Sequence, residues 1–444
     1  MKNPRLAAVV FFTVSCVAAQ DGEPGRESIT LKGVTETVHF LASDEMAGRD
    51  SPSPQLEAAA DYLAGRFKAA GLKSISSDGS YFHTFTMPGV KLDPTALRCV
   101  VHTASGDRTL EPGKDVRLWK CGSKFSAEST DVLRLGDDPS RGGLSFRIRG
   151  RKPVIYEVSG EAAIWRSLAT PRVSLTSRLG RSAPWLLIRE GVLPESDVKI
   201  SLEVPELTAV PAELRNVVGI LEGTDRRDEI VLLSAHYDHV GIGTPLDGDA
   251  IYNGADDNAT GTTAVVMLAE AFAARKTRPS RSIVFACFAA EEKGLVGSKQ
   301  FVKQSPIKLE KIIVNVNVEM IGRPMPGKDR SAWVTGREFS DFEEIASRGF
   351  SRAGIGVMQF PPSSSLFTAS DNYPFARAGI IAHSISAGSL HDDYHRPGDE
   401  VEKLHLEHMT AIIGGLYEVV SDFASMQGRP AYNESGKKRL RIKK

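Results

Sequence analysis

Residues 283–292 read IVFACFAAEE: an apolar run, Ile283–Ala290, ends abruptly in two adjacent glutamates. A strand that is apolar at every position has no solvated face, so it belongs in the middle of a parallel sheet covered on both sides. Working outward, Val217–Leu221, Ile230–Ser234, Ile312–Val318 and Ile380–Ile385 have the same texture. Between them, Gly261–Arg275, Leu295–Lys303, Ser340–Ala353 and Leu404–Ala424 carry apolar residues at helical spacing. This alternation predicts an α/β fold with a central mixed, largely parallel sheet sandwiched by helices. Ligands of such sheets gather where the loops leave the carboxyl ends of the strands.

The residues at those ends carry the chemistry. His236 follows one strand in SAHYDH, Glu291 and Glu292 follow another, Glu319 follows a third in NVNVEMIG, and His395 lies beyond the last in DDYHRPGDE. Asp256 sits in the glycine-flanked loop NGADDNATG, just ahead of a helix. Two imidazoles and three carboxylates, His236, Asp256, Glu292, Glu319 and His395, make an N/O donor set suited to two Zn2+ ions, with one carboxylate left to bridge. Adjacent buried carboxylates repel unless a cation stands near. Asp256 is therefore the expected bridge, with Asp257 or Asn258 capping the helix. Glu291, beside a ligand yet unbound, is expected to transfer protons. Asp238 is expected to hold the second ring nitrogen of His236 and fix its tautomer. His239 is read as structural, because strand alternation points it away from His236.

The rest of the chain bounds these readings. Its 444 residues exceed one ordinary domain, and 41% hydrophobic with 25% charged residues suit a sizeable core. Acidic and basic residues balance at 55 each, so no nucleic-acid partner is expected. Residues 1–19 have a leader's basic start, short apolar run and small-residue end, so a secreted or periplasmic protein with no membrane span is expected. Lipid attachment at Cys16 is less favoured, because Thr13-Val14-Ser15 is a poor lipobox. Ser28–Ala42 and Gln55–Ala70 read as helices within a first segment, 20–91. Segment 92–207 breaks into short strands, including Leu144–Ile148, with one helix near Glu161–Leu168, and reads as a small β-rich inserted domain. The metal-binding core spans 208–426, and a basic tail, 427–444, is expected to be frayed. Cys99 and Cys121 could pair in an oxidising compartment.

Five separated motifs in this order, together with LASDEMAGRDS (41–51) and YHRPGDE, resemble the secreted di-zinc exopeptidases. That group includes bacterial leucyl-type aminopeptidases, glutamate carboxypeptidases and glutaminyl cyclases. The insertion is similar to the protease-associated module of some members. The resemblance implies that Asp256 bridges the two ions, that Glu292 and His395 complete one site, and that His236 and Glu319 complete the other. It also implies that Glu291 is the general base. The activity implied is hydrolysis of the N-terminal peptide bond of peptides or small proteins by a hydroxide shared between two zinc ions. Carboxypeptidase or glutaminyl cyclase chemistry on the same cage is the alternative, and a non-catalytic binding protein is less favoured. Arg323 and Arg377 are candidate cations for a terminal carboxylate. Two departures from the family pattern stand out: Asn372 follows Ser370-Asp371 where relatives often have His, and Phe367 stands near the place of a Tyr.

Overall fold

The computed structural model describes residues 25–76, 78–135, 152–176 and 183–441. The leader-like segment, Cys16 and the strand expected at Leu144–Ile148 lie outside these residues.

Strand Arg281–Phe288 is buried at every position and lies between Arg226–His236, parallel to it, and Thr208–Leu221, antiparallel. On the far side of Arg226–His236 follow Ile312–Val318 and Ile381–Ser386, both parallel. These four parallel strands end at one edge, with His236, Phe288, Val318 and Ser386 as their last residues. The sheet continues antiparallel through Ser331–Val334 on one side and Phe82–Leu92 on the other.

Helices cover both faces. Asn216 donates to the carbonyl of Gly297, at the start of helix Val296–Lys303. Three positions on, and so on the other face of the strand, Gly219 packs against Phe67 of helix Pro54–Ala69. Helix Pro54–Ala69 begins where Ser53 Oγ accepts from the Leu56 amide and Pro54 presets the first turn, and it stops before Gly71 at φ 76°. Its buried face is Leu56, Ala59, Ala60, Leu63 and Phe67, spaced as a helix interior requires.

Strand Thr208–Leu221 is longer than the run Val217–Leu221, because residues 208–216 alternate in burial and pair with Phe82–Leu92. These two strands are the stems of the insertion. Among the described residues it forms two four-stranded sheets around Leu92, Cys99, Leu118, Ile155, Leu186, Ile188, Ile200 and Leu202. Cys99 and Cys121 are both buried free thiols, so no disulfide joins them. The other face of the insertion carries Trp119, Tyr156, Trp165 and Trp185. It packs on Ile242 and Ala250 of the hairpin Gly241–Leu246/Asp249–Tyr252, which lies in the chain between His239 and Gly254. Strand Arg172–Leu175, inside the insertion, also extends the central sheet by pairing with Gly89–Leu92. No described helix is long and apolar enough to cross a membrane.

The basic tail is ordered rather than frayed as far as it is described. Asn433 caps helix Glu434–Leu440. The Tyr432 hydroxyl donates to the Ile380 carbonyl at 2.8 Å and accepts from the Ala382 amide at 3.2 Å. Two buried backbone groups depend on that one hydroxyl. Tyr432→Phe is expected to lower the unfolding free energy by about 1–2 kcal/mol, read from urea denaturation with an unchanged m-value.

Candidate metal centre

Each functional side chain arrives from a place where regular structure has just ended. His236 is the last residue of its strand, and the alternation that would turn His239 away stops there. The His236 Nδ1 donates to the Asp238 carbonyl at 3.1 Å. A carbonyl only accepts, so Nδ1 keeps its proton and Nε2 faces the centre. That Nε2 lies 3.3 Å from Asp257 Oδ1 and 3.3 Å from Glu319 Oε2.

On the other side of the same carboxylate, Asp257 Oδ2 lies 3.0 Å from His395 Nε2, which is also 3.0 Å from Glu292 Oε1. Thus the two oxygens of Asp257 address two separate groups: His236 with Glu319, and His395 with Glu292. His239 also enters the second group, with Nδ1 2.9 Å from Glu292 Oε1 and 3.8 Å from Asp257 Oδ2.

This corrects the assignment of Asp256. Its carboxylate turns away from both groups: Oδ1 accepts from the Gly322 amide at 2.7 Å, and Oδ2 lies 3.4 Å from His391 Nε2. Asp257, rather than Asp256, lies between the two groups, and it is Asn258 whose Oδ1 accepts from the Gly261 amide, at 3.0 Å, where the helix begins. The dihedral angles of a non-helical turn decide which neighbour faces inward, with Gly254 at φ 61° and Asp257 at φ −106°, ψ 93°. No periodicity operates in such a turn. Asp238 is also corrected in part. Its carbonyl, not its carboxylate, sets the His236 tautomer; Oδ1 stands 3.8 Å from Nδ1. The carboxylate instead accepts the amides of Glu291 at 3.0 Å and Glu292 at 3.4 Å.

Two supports escaped the sequence reading. Arg49, in the polar loop of LASDEMAGRDS, is fully buried. It donates to the carbonyls of Leu41, Tyr237, Asn253 and Gly254, clamping the two loops that carry His236 and Asp257. Asp399 accepts the amides of Asp256 and Asp257, both at 3.0 Å. An arginine within a polar stretch, and an aspartate directly after the Pro397-Gly398 pair, were the available signals. Glu319 is fixed by Asn317 and Ser370 on Oε1 and by Asn258 on Oε2. Phe367 is fully buried against Phe339 and His383 and belongs to the core. Asn372 bridges the Phe367 carbonyl and Ser384.

The electrostatics record a shortage of positive charge. Burial disfavours the charged form of His395, yet Asp257 and Glu292 outweigh it and hold the imidazolium up to about 10. Burial likewise opposes the charge on His236, but Glu319, Glu291 and Asp257 raise it well above the usual imidazole range. Burial pushes Glu291 well above the ordinary carboxyl range, reinforced by Glu292, Asp371 and Glu319. Asp257 Oδ2 and both His239 nitrogens are buried with no hydrogen-bond partner of proper geometry. Imidazole nitrogens and carboxylate oxygens converging on two points, some without hydrogen bonds, fit divalent cations with nitrogen and oxygen preference, zinc foremost.

Both the sequence and the fold resemble those of known proteins. The sequence model of Peptidase family M28 matches residues 216–420. The chain is 24% identical over 355 residues to aminopeptidase YwaD of Bacillus subtilis (strain 168), covering 72% of this chain and 70% of that one. It is 31% identical over 163 residues to a probable zinc metalloprotease of Pyricularia oryzae, covering 35% and 31% of the two chains. In structure it is similar to BSAP, a zinc aminopeptidase from Bacillus subtilis, with a TM-score of 0.56 at 18% identity over 90% of this chain and 96% of that one. An aminopeptidase from Aneurinibacillus sp. strain AM-1 gives 0.54 at 15% identity over 92% and 97%. These two likenesses show the fold: the mixed sheet flanked by helices that the sequence leads one to expect.

The geometry separates the two adjacent aspartates by experiment. Asp257→Asn is expected to lower bound metal below that of the unaltered protein, whereas Asp256→Asn retains it. Metal analysis of both variants after dialysis against metal-free buffer, with circular dichroism to confirm folding, checks this.

Proposed function

We propose that this chain belongs to Peptidase family M28, as a zinc-dependent hydrolase, and is an exported aminopeptidase that removes N-terminal residues from peptides or small proteins using two zinc ions. The observation that carries the proposal is Asp257, with one oxygen turned to His236 and Glu319 and the other to His395 and Glu292. His236, Asp257 and Glu319 would hold one ion; Asp257, Glu292 and His395 would hold the other. When bound, such ions polarise a peptide carbonyl and bring the pKa of water toward about 7.

The chain's own residues do the remaining work. Glu291 follows Ala290, whose φ is 57°, and belongs to neither ligand group. Its carboxyl is held above the usual range by burial and neighbouring carboxylates. That poises it to take a proton from water and return it to the leaving amine. Asp238 fixes the peptide groups of Glu291 and Glu292, so the base and the neighbouring ligand are aimed together.

A carboxypeptidase would instead need a cation to hold the C-terminal carboxylate of its substrate. Arg323, a candidate anchor for such a carboxylate, is already held by Asp393 at 2.8 Å and lies 3.1 Å from His391 Nδ1. Export is proposed from the leader-like residues 1–19.

Glu291→Gln is expected to keep its zinc while turnover on an aminoacyl chromophore falls by about 10²-fold or more. Near-normal turnover in a zinc-loaded variant would remove Glu291 from this role. Chelation should abolish the same activity and added zinc should restore it. An N-acetylated peptide should resist cleavage by the unaltered enzyme; equal cleavage of blocked and free peptides would rule out an aminopeptidase.

A further inference from the structure

We propose that His239 is a protein ligand of the cation held by Asp257, Glu292 and His395, so that this cation has four side-chain donors while its neighbour has three. The proposal rests on the metal-centre reading above and adds a residue to it.

Three independent features of His239 point the same way. It is 0% exposed, and both ring nitrogens lack a hydrogen-bond partner of proper geometry. A histidine buried for structural reasons satisfies at least one ring nitrogen; one left with neither is awaiting a partner. Its Nδ1 nonetheless points at a definite place. His239 Nδ1, His395 Nε2, Asp257 Oδ2 and Glu292 Oε1 surround one volume, with separations of 2.9 Å for His239 to Glu292, 3.0 Å for His395 to Glu292, 3.0 Å for His395 to Asp257 and 3.8 Å for His239 to Asp257. Four donors placed tetrahedrally at about 2.0–2.1 Å from zinc lie about 3.3 Å from one another. The observed edges bracket that value. On the other side of Asp257 the two 3.3 Å separations from His236 Nε2 match it too, but among the described residues only three side chains meet there.

The backbone is shaped to admit the ring. Gly254 has φ 61°, and a Cβ at that position would stand 2.4 Å from His239 Cγ and 2.4 Å from the Asp257 carbonyl oxygen. Only glycine lets the loop bearing Asp257 close over the imidazole. A simple hydrogen bond from His239 to Glu292 is the competing explanation. It leaves unexplained why the contact lacks hydrogen-bond geometry, and why a second imidazole approaches the same Glu292 oxygen.

The chemical consequence is that the two cations are unequal. A site with four protein donors is closed and holds its ion tightly, whereas a three-donor site keeps a position for water or substrate. The His239 side is the anchor, and the His236 side is the exchangeable one.

The test is zinc titration of the full-length protein against a competing chelator, comparing the unaltered chain with His239→Ala, His239→Gln and His236→Ala. The inference expects two binding steps, with the tighter weakened at least tenfold in both His239 variants and the weaker step changed less than threefold. His236→Ala should lose the weaker step instead. Unchanged tight binding in folded His239 variants would overturn the inference. Should those variants fail to fold, the cobalt-loaded unaltered protein decides by NMR. Paramagnetically shifted ring protons from three histidines support His239 as a ligand, and signals from two overturn it. A single binding step that depends on His239 would uphold the ligand and sink the two-ion reading, so the two failures are distinguishable.

Discussion

The constraint on which this molecule turns is the burial of like charge. Asp238, Asp257, Glu292, Glu319 and Glu291 share one region with three imidazoles, and most of them are hidden from solvent. Carboxylates at that density in a poorly solvated interior repel one another strongly unless cations stand between them. Arg49, buried beneath them, is occupied with backbone carbonyls. The raised proton affinities of His236, His395 and Glu291 follow from that crowding. Divalent cations would relieve it further, and binding them would couple to the order of these loops.

Four parallel strands make the convergence possible, because they deliver their last residues to one edge. The final placement is then made by short departures from ordinary backbone. Ala290, Met320 and His395 have φ of 57°, 49° and 55°, and each is itself one of the ligand or base residues or adjacent to one. Side chains other than glycine seldom occupy this region, and such residues persist where their surroundings over-determine them. Here the determination comes from the sheet on one side and from Arg49 and Asp399 on the other. Rigid strands thus bring the ligands near, and strained turns aim them.

What could be read from sequence follows the same division. Continuous apolar runs such as Ile283–Ala290 and Ile312–Val318 identify strands buried on both faces, and the residues just beyond them, Glu292 and Glu319, are found at the predicted edge. The insertion is visible as a change in texture, although Arg172–Leu175 rejoining the central sheet is a long-range pairing that no local pattern encodes. Three details were illegible for one reason: they are decided where periodicity has ended. Asp256 and Asp257 are chemically identical neighbours in a turn. His239 comes three residues after a strand has stopped, so alternation no longer predicts its direction. Arg49 lies in a loop whose composition suggests solvent, and its burial depends on carbonyls nearly two hundred residues away.

The two carboxylate doublets are built on one device. Asp399 takes the amides of Asp256 and Asp257 with its two oxygens, and Asp238 takes those of Glu291 and Glu292 in the same manner. A carboxylate bound to two consecutive N–H groups fixes the peptide between them, and with it the directions in which both side chains leave. One member of each pair then turns into the cage while the other turns elsewhere: Asp256 reaches Gly322, tying this loop to the one that follows Glu319, and Glu291 belongs to neither ligand group, as its proposed part in proton transfer requires. Burial raises the carboxyls of Asp238 to about 6 and of Asp399 to about 7, so both clamps are electrostatically costly to maintain. That cost makes sense if the division of labour within each doublet is what the clamps secure. An adjacent pair of acids left free to turn would offer both side chains to the same cage, and the separation between the proposed bridge and the proposed base would be lost.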